Sequence, residues 1–299
     1  MVVATGFFDG VHIGHRLVTD RLVAAARESG DESMVVTFWP HPRTVLQKDA
    51  ESLRFLSSLD EKRKLLHEAG VDRVEVIDFT REFSRLSARE YLQEYVIGRF
   101  GGKKIILGYD NRIGCEDGKE DIAATARELG LEVETVPEAF SGEKFSVSSS
   151  KIRRLLSEGD VETAARLLGY DYPLLGVVVS GDKIGRTIGF PTANMQLYEP
   201  LKQVPGNGVY LVAVRTLGRN LYGMCNIGRR PTVCDNGGLT TETHIFGFSE
   251  DIYGLDIGIS FLKRIRGERK FSSLDALKEQ LAADRAYCKE LLKEREYVV

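Results

Sequence analysis

The chain has 299 residues, of which 42% are hydrophobic and 28% charged, a composition typical of globular rather than disordered proteins. This length exceeds what one hydrophobic core usually serves, so we expect two domains. The formal net charge is -3 and acidic and basic residues are interspersed, which argues against a protein whose main role is to bind nucleic acid.

The cysteines form neither a disulfide framework nor a zinc-binding cluster, which favours free thiols in a reducing compartment. The sequence shows no signal-peptide pattern, and no apolar stretch approaches the roughly 20 residues that cross a bilayer. We therefore expect a cytoplasmic protein that acts on small molecules as a monomer or weak oligomer, without a membrane or nucleic-acid partner. The four cysteines are Cys115, Cys225, Cys234 and Cys288.

The first half alternates short apolar runs with amphipathic segments. Short, fully apolar strands separated by helices indicate a parallel sheet that is covered on both faces. The sequence therefore predicts a doubly wound, Rossmann-like α/β domain over residues 1–170. The pattern predicts strands at 1–5, 34–38, 74–77 and 104–107, and helices at 16–28, 60–69 and 88–100.

After residue 170 the chain changes to short strand-like runs separated by glycine-rich turns. Such runs indicate an antiparallel barrel or sandwich over residues 174–299. An amphipathic stretch from Ser273 to Glu294 predicts one long helix that closes this domain. The boundary is placed at 171–173. The strand-like runs are 176–180, 208–214, 221–226 and 243–248.

A glycine-rich turn with two histidines follows the first apolar run. Glycines such as Gly10 let a backbone approach a ligand, and the helix that begins near His15 offers unpaired N–H groups to an anion. His12 and His15 can point at one phosphate and donate to the charge that develops in nucleotidyl transfer. The alternative is that both are partly exposed turn residues.

The run at 8–15, FDGVHIGH, resembles the HxGH nucleotidylyltransferase superfamily in the form found in bacterial FAD synthetases. The run at 37–42 resembles that family's TFxPHP, the run at 107–110 its strand and turn beside the flavin nucleotide, and the run at 148–153 its SSTxIR. The resemblance implies that Asp110 lies beside the flavin and that a polar set binds ATP phosphates. That set is Ser149, Ser150, Lys151 and Arg153.

The charge of Lys151 or Arg153 at a helix start also suits phosphate binding, and Ser149 or Ser150 would serve as the N-cap of that helix. Some positions differ from the family's pattern around the expected pocket. Phe7 stands where asparagine is usual and Trp39 where aspartate is usual. Ser150, Asn111 and Ile113 differ as well.

The run at 180–194, SGDKIGRTIGFPTAN, has the glycines and basic residues of a phosphate loop without being a Walker A motif. A glycine-rich hairpin would let backbone amides near Gly181 and Gly185 cup phosphates. Thr192 and Asn194 lie two residues apart, so on an extended segment they face the same side and can hold Mg²⁺. Lys183 and Arg186 either assist the phosphates or are solvated, and Thr187 is assigned to the same phosphate-binding loop.

Together with NIGRRPT at 226–232 and the run at 242–245, this loop resembles the riboflavin kinase family, and the match covers residues 176–285. The resemblance implies that Glu242 takes the proton from the riboflavin 5'-hydroxyl and that Asn226 contacts the flavin. It also implies a Greek-key barrel over residues 174–299, in which Thr192 and Asn194 hold the metal. The alternative for Glu242 is a surface carboxylate, and His244 is interpreted as a strand histidine without a catalytic role.

Both resemblances occur in the order found in bacterial bifunctional riboflavin kinase/FAD synthetases. They imply phosphorylation of riboflavin by ATP to FMN, then adenylylation of FMN to FAD with release of pyrophosphate, both with Mg²⁺. One alternative is a riboflavin kinase with a weak or lost adenylyltransferase domain. Another is a flavin- or RNA-binding module, but the basic stripe and strand-spaced aromatics it would need are missing from the sequence.

Overall fold

The computed structural model describes residues 1–46, 53–109, 121–138, 140–141, 145–181, 184–229 and 239–296. The chain divides into two compact units, Met1–Lys151 and Ile152–Val299. Residues 152–170 thus group with the second unit, and the predicted functional boundary at 171–173 stays a prediction. Within the described ranges, no helix is both long and apolar enough to cross a membrane.

The first unit is built on a five-stranded parallel sheet with the strand order β3-β2-β1-β4-β5. This order confirms the predicted doubly wound α/β architecture, in which the chain starts at the middle of the sheet and winds outward in both directions. The fifth strand was not predicted. The strands are β1 (Val2–Thr5), β2 (Ser33–Trp39), β3 (Arg73–Asp78), β4 (Lys104–Gly108) and β5 (Glu132–Val136).

Helices cover both faces of this sheet because neighbouring residues of each buried strand point to opposite sides. Val2 and Ala4 of β1 belong to one hydrophobic core, and Val3 belongs to the other. A two-stranded pair, β6 (Phe140–Ser141) and β7 (Phe145–Ser146), follows β5. The helices are α1 (Ile13–Ser29), α2 (Pro42–Leu46), α3 (Leu59–Glu68), α4 (Ala88–Tyr91), continued by a π-helical segment Leu92–Arg99, and α5 (Ile122–Glu128).

The second unit contains a closed six-stranded antiparallel barrel with the order β10-β11-β12-β9-β8-β13. The non-consecutive neighbours β12–β9, β8–β13 and β10–β13 give it the predicted Greek-key character. The strands are β8 (Pro173–Val179), β9 (Ala193–Leu197), β10 (Gly208–Thr216), β11 (Arg219–Arg229), β12 (Leu239–Ile245) and β13 (Asp256–Arg266). The predicted strand-like runs did not include β9 and β13.

The long closing helix was predicted and runs from Leu274 to Glu296 as α9. Cys288 on this helix is fully buried in a hydrophobic core that it shares with Phe190, Met224 and Leu262 of the barrel. The other helices are α6 (Ser149–Glu158), α7 (Val161–Leu168) and the single turn α8 (Ile184–Thr187) between β8 and β9.

Candidate active sites

The glycine-rich turn between β1 and α1 has an unusual backbone. Phe8, Gly10 and Val11 adopt φ angles of 49°, 78° and 37°, a region that residues other than glycine rarely occupy. Strained conformations of this kind persist where surrounding contacts impose them, and they cluster at functional sites. We call residues 6–15 the HxGH loop.

Buried hydrogen bonds hold the HxGH loop in this conformation. The carboxylate of Asp9 accepts from the backbone N–H groups of Leu56 at 2.9 Å and Ser57 at 3.1 Å. The Gly10 N–H donates to the hydroxyl of Ser57 at 3.0 Å. The structural role of Gly10 is therefore its positive φ and this bond, and its predicted contact with a phosphate stays a prediction. Asp9 and Ser57 were missed from the sequence because they lie 48 residues apart.

His12 and His15 lie together at the start of α1, as predicted. Their rings stack with centroids 3.7 Å apart, and His12 is the N-cap, its Nδ1 accepting from the His15 N–H at 3.3 Å. A nitrogen that accepts carries no proton, so the ring proton of His12 lies on Nε2. Burial, His12 and Lys62 hold the pKa of His15 well below its usual range. The Nδ1 of His15 is buried without a hydrogen-bond partner among the described residues.

A cavity of about 750 Å³ opens beside the HxGH loop. Its lining includes polar residues, namely His12, His15, Ser148 and Ser149. It also includes aromatic and apolar residues, among them Phe38, Phe79, Phe83, Leu86 and Tyr91. The cavity therefore offers hydrogen-bond donors and a flat apolar surface to one ligand.

The predicted phosphate-binding serines follow at the start of α6. The Ser149 hydroxyl donates to the carbonyl of Asp9 at 3.0 Å, which fixes it to the HxGH loop. The prediction that Ser149 or Ser150 caps the helix is wrong: Ser148 precedes the first helical residue, and its hydroxyl accepts from the Lys151 N–H at 3.3 Å. Ser150 and Lys151 are not among the described residues that line the cavity.

Arg153 lies further along α6 and groups with the second unit, so its contact with the ATP phosphates stays a prediction. Asp110, Asn111 and Ile113, which the sequence associated with the flavin, lie outside the described residues.

Phe7 and Trp39, two of the positions that depart from the family's pattern, pack around one lysine. The Nζ of Lys62 lies 5.2 Å from the ring centroid of Phe7 and 6.0 Å from that of Trp39. Sequence reasoning did not single out Lys62, although a signal existed. It lies one turn before Leu66 on the buried face of α3, where an apolar residue would be usual.

In the second unit, three predicted residues form a row across neighbouring strands. Glu242 of β12 lies opposite Asn226 of β11 on one side and opposite Asn194 of β9 on the other. Residues directly opposite in an antiparallel pair project from the same face of the sheet. Cys225 and Ile227 beside Asn226 are fully buried, whereas Asn226 is exposed, so the row lies on the outer face of the barrel.

Thr192 joins this row, because its hydroxyl donates to Oε2 of Glu242 at 3.4 Å. The donor set is thus a hydroxyl, an amide oxygen and a carboxylate, the hard oxygen ligands that Mg²⁺ prefers. Gly181 lies against the side chain of Asn194: a Cβ at position 181 would lie 2.3 Å from Nδ2 of Asn194. The residues present therefore fit a magnesium ion held by Thr192 and Asn194.

The glycine-rich loop after β8 folds back on itself. The Phe190 N–H donates to the carbonyl of Gly185 at 2.7 Å, and a Cβ on Gly185 would lie 2.2 Å from the Phe190 carbonyl oxygen. Gly185 is therefore required for the loop geometry. Arg186 and Thr187 are exposed, and Lys183 lies outside the described residues.

His244 is buried and its Nδ1 lies 2.9 Å from the carbonyl oxygen of Pro191, so Nδ1 carries the proton and donates. Its ring also packs edge-on against Phe190. This environment agrees with the interpretation of His244 as a strand histidine without a catalytic role. The bond fixes the residue that precedes Thr192.

Comparisons with known proteins match the two halves of the chain to two enzyme families. A family model described as FAD synthetase matches residues 1–151, and one described as riboflavin kinase matches residues 168–292. Bifunctional riboflavin kinase/FMN adenylyltransferases are similar over nearly the whole length: the one from Listeria monocytogenes is 37% identical, and the one from Bacillus subtilis 38%. Each alignment covers 95% of this chain and 90% of the relative.

A solved structure named macrolide-efflux protein from Streptococcus pneumoniae is 34% identical, with a TM-score of 0.88 over 96% of this chain and 93% of that one. The fold and the two sites define a transferase with an HxGH nucleotidylyltransferase unit ahead of a β-barrel kinase unit. The chain belongs to the bifunctional riboflavin kinase/FMN adenylyltransferase family.

Proposed function

We propose that this chain makes FAD in two steps, phosphorylating riboflavin with ATP to FMN in the barrel unit and adenylylating FMN with a second ATP in the N-terminal unit. The observation that carries the kinase assignment is the row of Asn226, Glu242 and Asn194, with Thr192 bonded to the same carboxylate. The stacked histidines beside an aromatic cavity support the second step.

In the kinase step, Glu242 accepts the proton of the riboflavin 5'-hydroxyl as the oxygen attacks the γ-phosphorus of ATP. An alcohol is a weak nucleophile until a positioned base takes its proton. Thr192 and Asn194 would hold Mg²⁺, which would supply positive charge beside the phosphates. Asn226 lies beside Glu242 and contacts the flavin, and Gly181, Lys183, Gly185, Arg186 and Thr187 form the loop that holds the nucleotide.

In the adenylyl-transfer step, a phosphate oxygen of FMN attacks the α-phosphorus of ATP and pyrophosphate leaves. Since FMN already carries a phosphate dianion, no protein base is needed. The Nε2–H of His12 and a ring nitrogen of His15 donate to the phosphate oxygens as charge develops on them. The hydroxyl of Ser149 donates to Asp9, so Ser149 offers its backbone N–H at the start of α6 to the same phosphates, and the aromatic side chains of the cavity, with Phe38 and Phe83, accept a flat ring.

The proposal also covers the kind of substrate, the cellular compartment and the oligomeric state of the enzyme. The near-neutral, mixed charge of the chain supports small-molecule substrates rather than nucleic acid as partners. We propose a cytoplasmic enzyme that works as a monomer or weak oligomer, with Mg²⁺ in both steps and functional domains at 1–170 and 174–299.

The direct test is a time course with riboflavin, ATP and Mg²⁺, in which flavins are separated by chromatography. We expect FMN to rise first and FAD to follow, with ADP and pyrophosphate formed in turn. If the reaction stops at FMN under excess ATP, the protein is a riboflavin kinase whose adenylyltransferase unit has lost its activity. If riboflavin is not consumed, the kinase assignment is wrong.

Gly181→Ala tests the metal ligands. The new Cβ would meet the Asn194 amide at 2.3 Å and force it to move. We expect the Mg²⁺ concentration for half-maximal FMN formation to rise roughly tenfold. Metal affinity typically falls by about this factor when the surroundings that orient a ligand are changed. Gly267→Ala is the matched control, because its nearest neighbouring atom lies 4.0 Å from the new Cβ. An unchanged Mg²⁺ requirement in Gly181→Ala would remove Asn194 from the metal site.

A further inference from the structure

Lys62 is a buried cation in the first unit, with a side chain only 2% exposed. Its Nζ lies 3.4 Å from the hydroxyl of Thr37 and over the rings of Phe7 and Trp39. None of the carboxylates in the described part of the chain forms an ion pair with it. Lysine is almost never fully buried unless it is paired, because an ammonium loses its hydration there.

Contacts connect this lysine to the HxGH loop. The Thr37 hydroxyl, which Lys62 approaches, donates to the backbone carbonyl of Phe7 at 3.2 Å. The ring of Phe7 has the ammonium over it and also lines the cavity that His12 and His15 share. One aromatic side chain therefore contacts both the lysine and the proposed phosphate site.

The charge on Lys62 acts at the catalytic histidines. It contributes to the lowered pKa of His15, after burial and His12. Burial lowers the pKa of Lys62 itself to about 8, and Asp9 of the loop opposes that shift. Thr37 and Trp39, which approach Lys62 from β2, are uncharged, so Asp9 and His15 are the titratable groups coupled to it from the loop and α1.

We propose that Lys62 is a positioning residue of the adenylyl-transfer site, supplying a fixed positive charge behind the HxGH loop to which the nucleotide phosphates bind. This inference rests on the proposed function of the first unit. A charge in a water-poor environment acts over longer distances than an exposed one, since neither solvent nor salt screens it well. It also needs no reorganisation when negative charge develops on the phosphates.

A purely structural role at position 62 would favour a different side chain. An unpaired buried ammonium destabilises a fold, and an apolar side chain of the same length would pack against the same rings without that cost. Proteins retain such unfavourable groups where activity requires them. Removing the charge should therefore weaken catalysis while making the unit more stable.

The test is Lys62→Met, which keeps the length of the stem and removes the charge. We expect kcat/KM for ATP in FMN adenylylation to fall roughly 10- to 100-fold, the effect of losing one partly screened charge near the phosphates. We expect Tm to stay level or rise, and riboflavin phosphorylation to be unchanged. Lys64→Met, an exposed lysine on the same helix, is the matched control and should leave both activities intact.

A pH profile separates charge from packing. The wild-type rate of FMN adenylylation should decline as pH rises through about 8, as the ammonium loses its proton. Lys62→Arg should move that decline to higher pH, because a guanidinium stays charged. Lys62→Met should abolish it.

Full adenylylation by Lys62→Met would overturn the inference, as would a loss that merely follows a lower Tm, or a wild-type profile that is flat through pH 8. These outcomes differ from a failure of the proposed function, in which the wild-type protein would convert no FMN to FAD. If the wild-type protein makes FAD and Lys62→Met makes it at the same rate, the assignment of the adenylyl-transfer site is kept and the proposed role of Lys62 is wrong.

Discussion

Glu242→Gln is expected to abolish FMN formation and to leave the conversion of added FMN to FAD intact. Glutamine keeps the size of the side chain and can still accept the hydrogen bond from Thr192, but it cannot take a proton from the riboflavin hydroxyl. Loss of a general base lowers kcat by about 10²- to 10⁴-fold. The measurement is the initial rate of riboflavin phosphorylation at saturating ATP and Mg²⁺.

Two controls make this result interpretable. Glu279→Gln removes a carboxylate from an exposed position on α9 and should leave FMN formation unchanged. A thermal unfolding curve of Glu242→Gln should match that of the wild-type protein, since the interaction with Thr192 is kept. If Glu242→Gln phosphorylates riboflavin at the wild-type rate, the base lies elsewhere and Glu242 is only a surface carboxylate.

The second large effect is expected in the N-terminal unit. Replacing both His12 and His15 by alanine should lower FAD formation by at least about 10³-fold, because each donor to a developing negative charge is worth about 10²- to 10³-fold. Riboflavin phosphorylation in the barrel should continue at the wild-type rate. Both rates can be read from one chromatographic assay with riboflavin or FMN as the starting flavin.

His12 also caps α1, so alanine there is expected to cost about 0.5–2 kcal/mol of stability in addition to activity. The double variant His12→Ser/His15→Leu separates the two effects. Serine at the N-cap still accepts from the N–H of residue 15, whereas its short hydroxyl does not reach the position of the His12 Nε2 and leucine has no donor. Near-normal FAD synthesis by this folded variant would refute the assignment of the histidines.

The lowered pKa of His15 has a consequence for stability. Its imidazole takes a proton more readily in the unfolded chain, at its usual pKa near 6.5, than in the folded unit. The contribution of the neutral ring to the free energy of unfolding is fully present above about pH 6.5. It decreases as pH falls below that value. The His15→Gln change should flatten this dependence.

Local sequence determined much of the N-terminal site. His12 and His15 are three residues apart at a helix start, so their shared direction follows from helix geometry. The alternation of apolar runs and helices likewise predicted the parallel sheet, and the short runs between glycine-rich turns predicted an antiparallel barrel or sandwich, which the structure shows to be a barrel. These features depend on neighbours in the chain, which a sequence displays directly.

Strand register and long-range contacts were decided only by the tertiary structure. The motifs of Thr192, Asn226 and Glu242 were recognised separately, but the pairing of β12 with β9 and β11 places them in one row, and a shift by one residue would turn Glu242 inward. The same holds for Lys62, whose sequence indicates only a lysine on the buried face of a helix. Its place against Phe7 and Trp39 depends on how α3 packs near β2, and such packing arises from the sum of many weak contacts rather than from any local pattern.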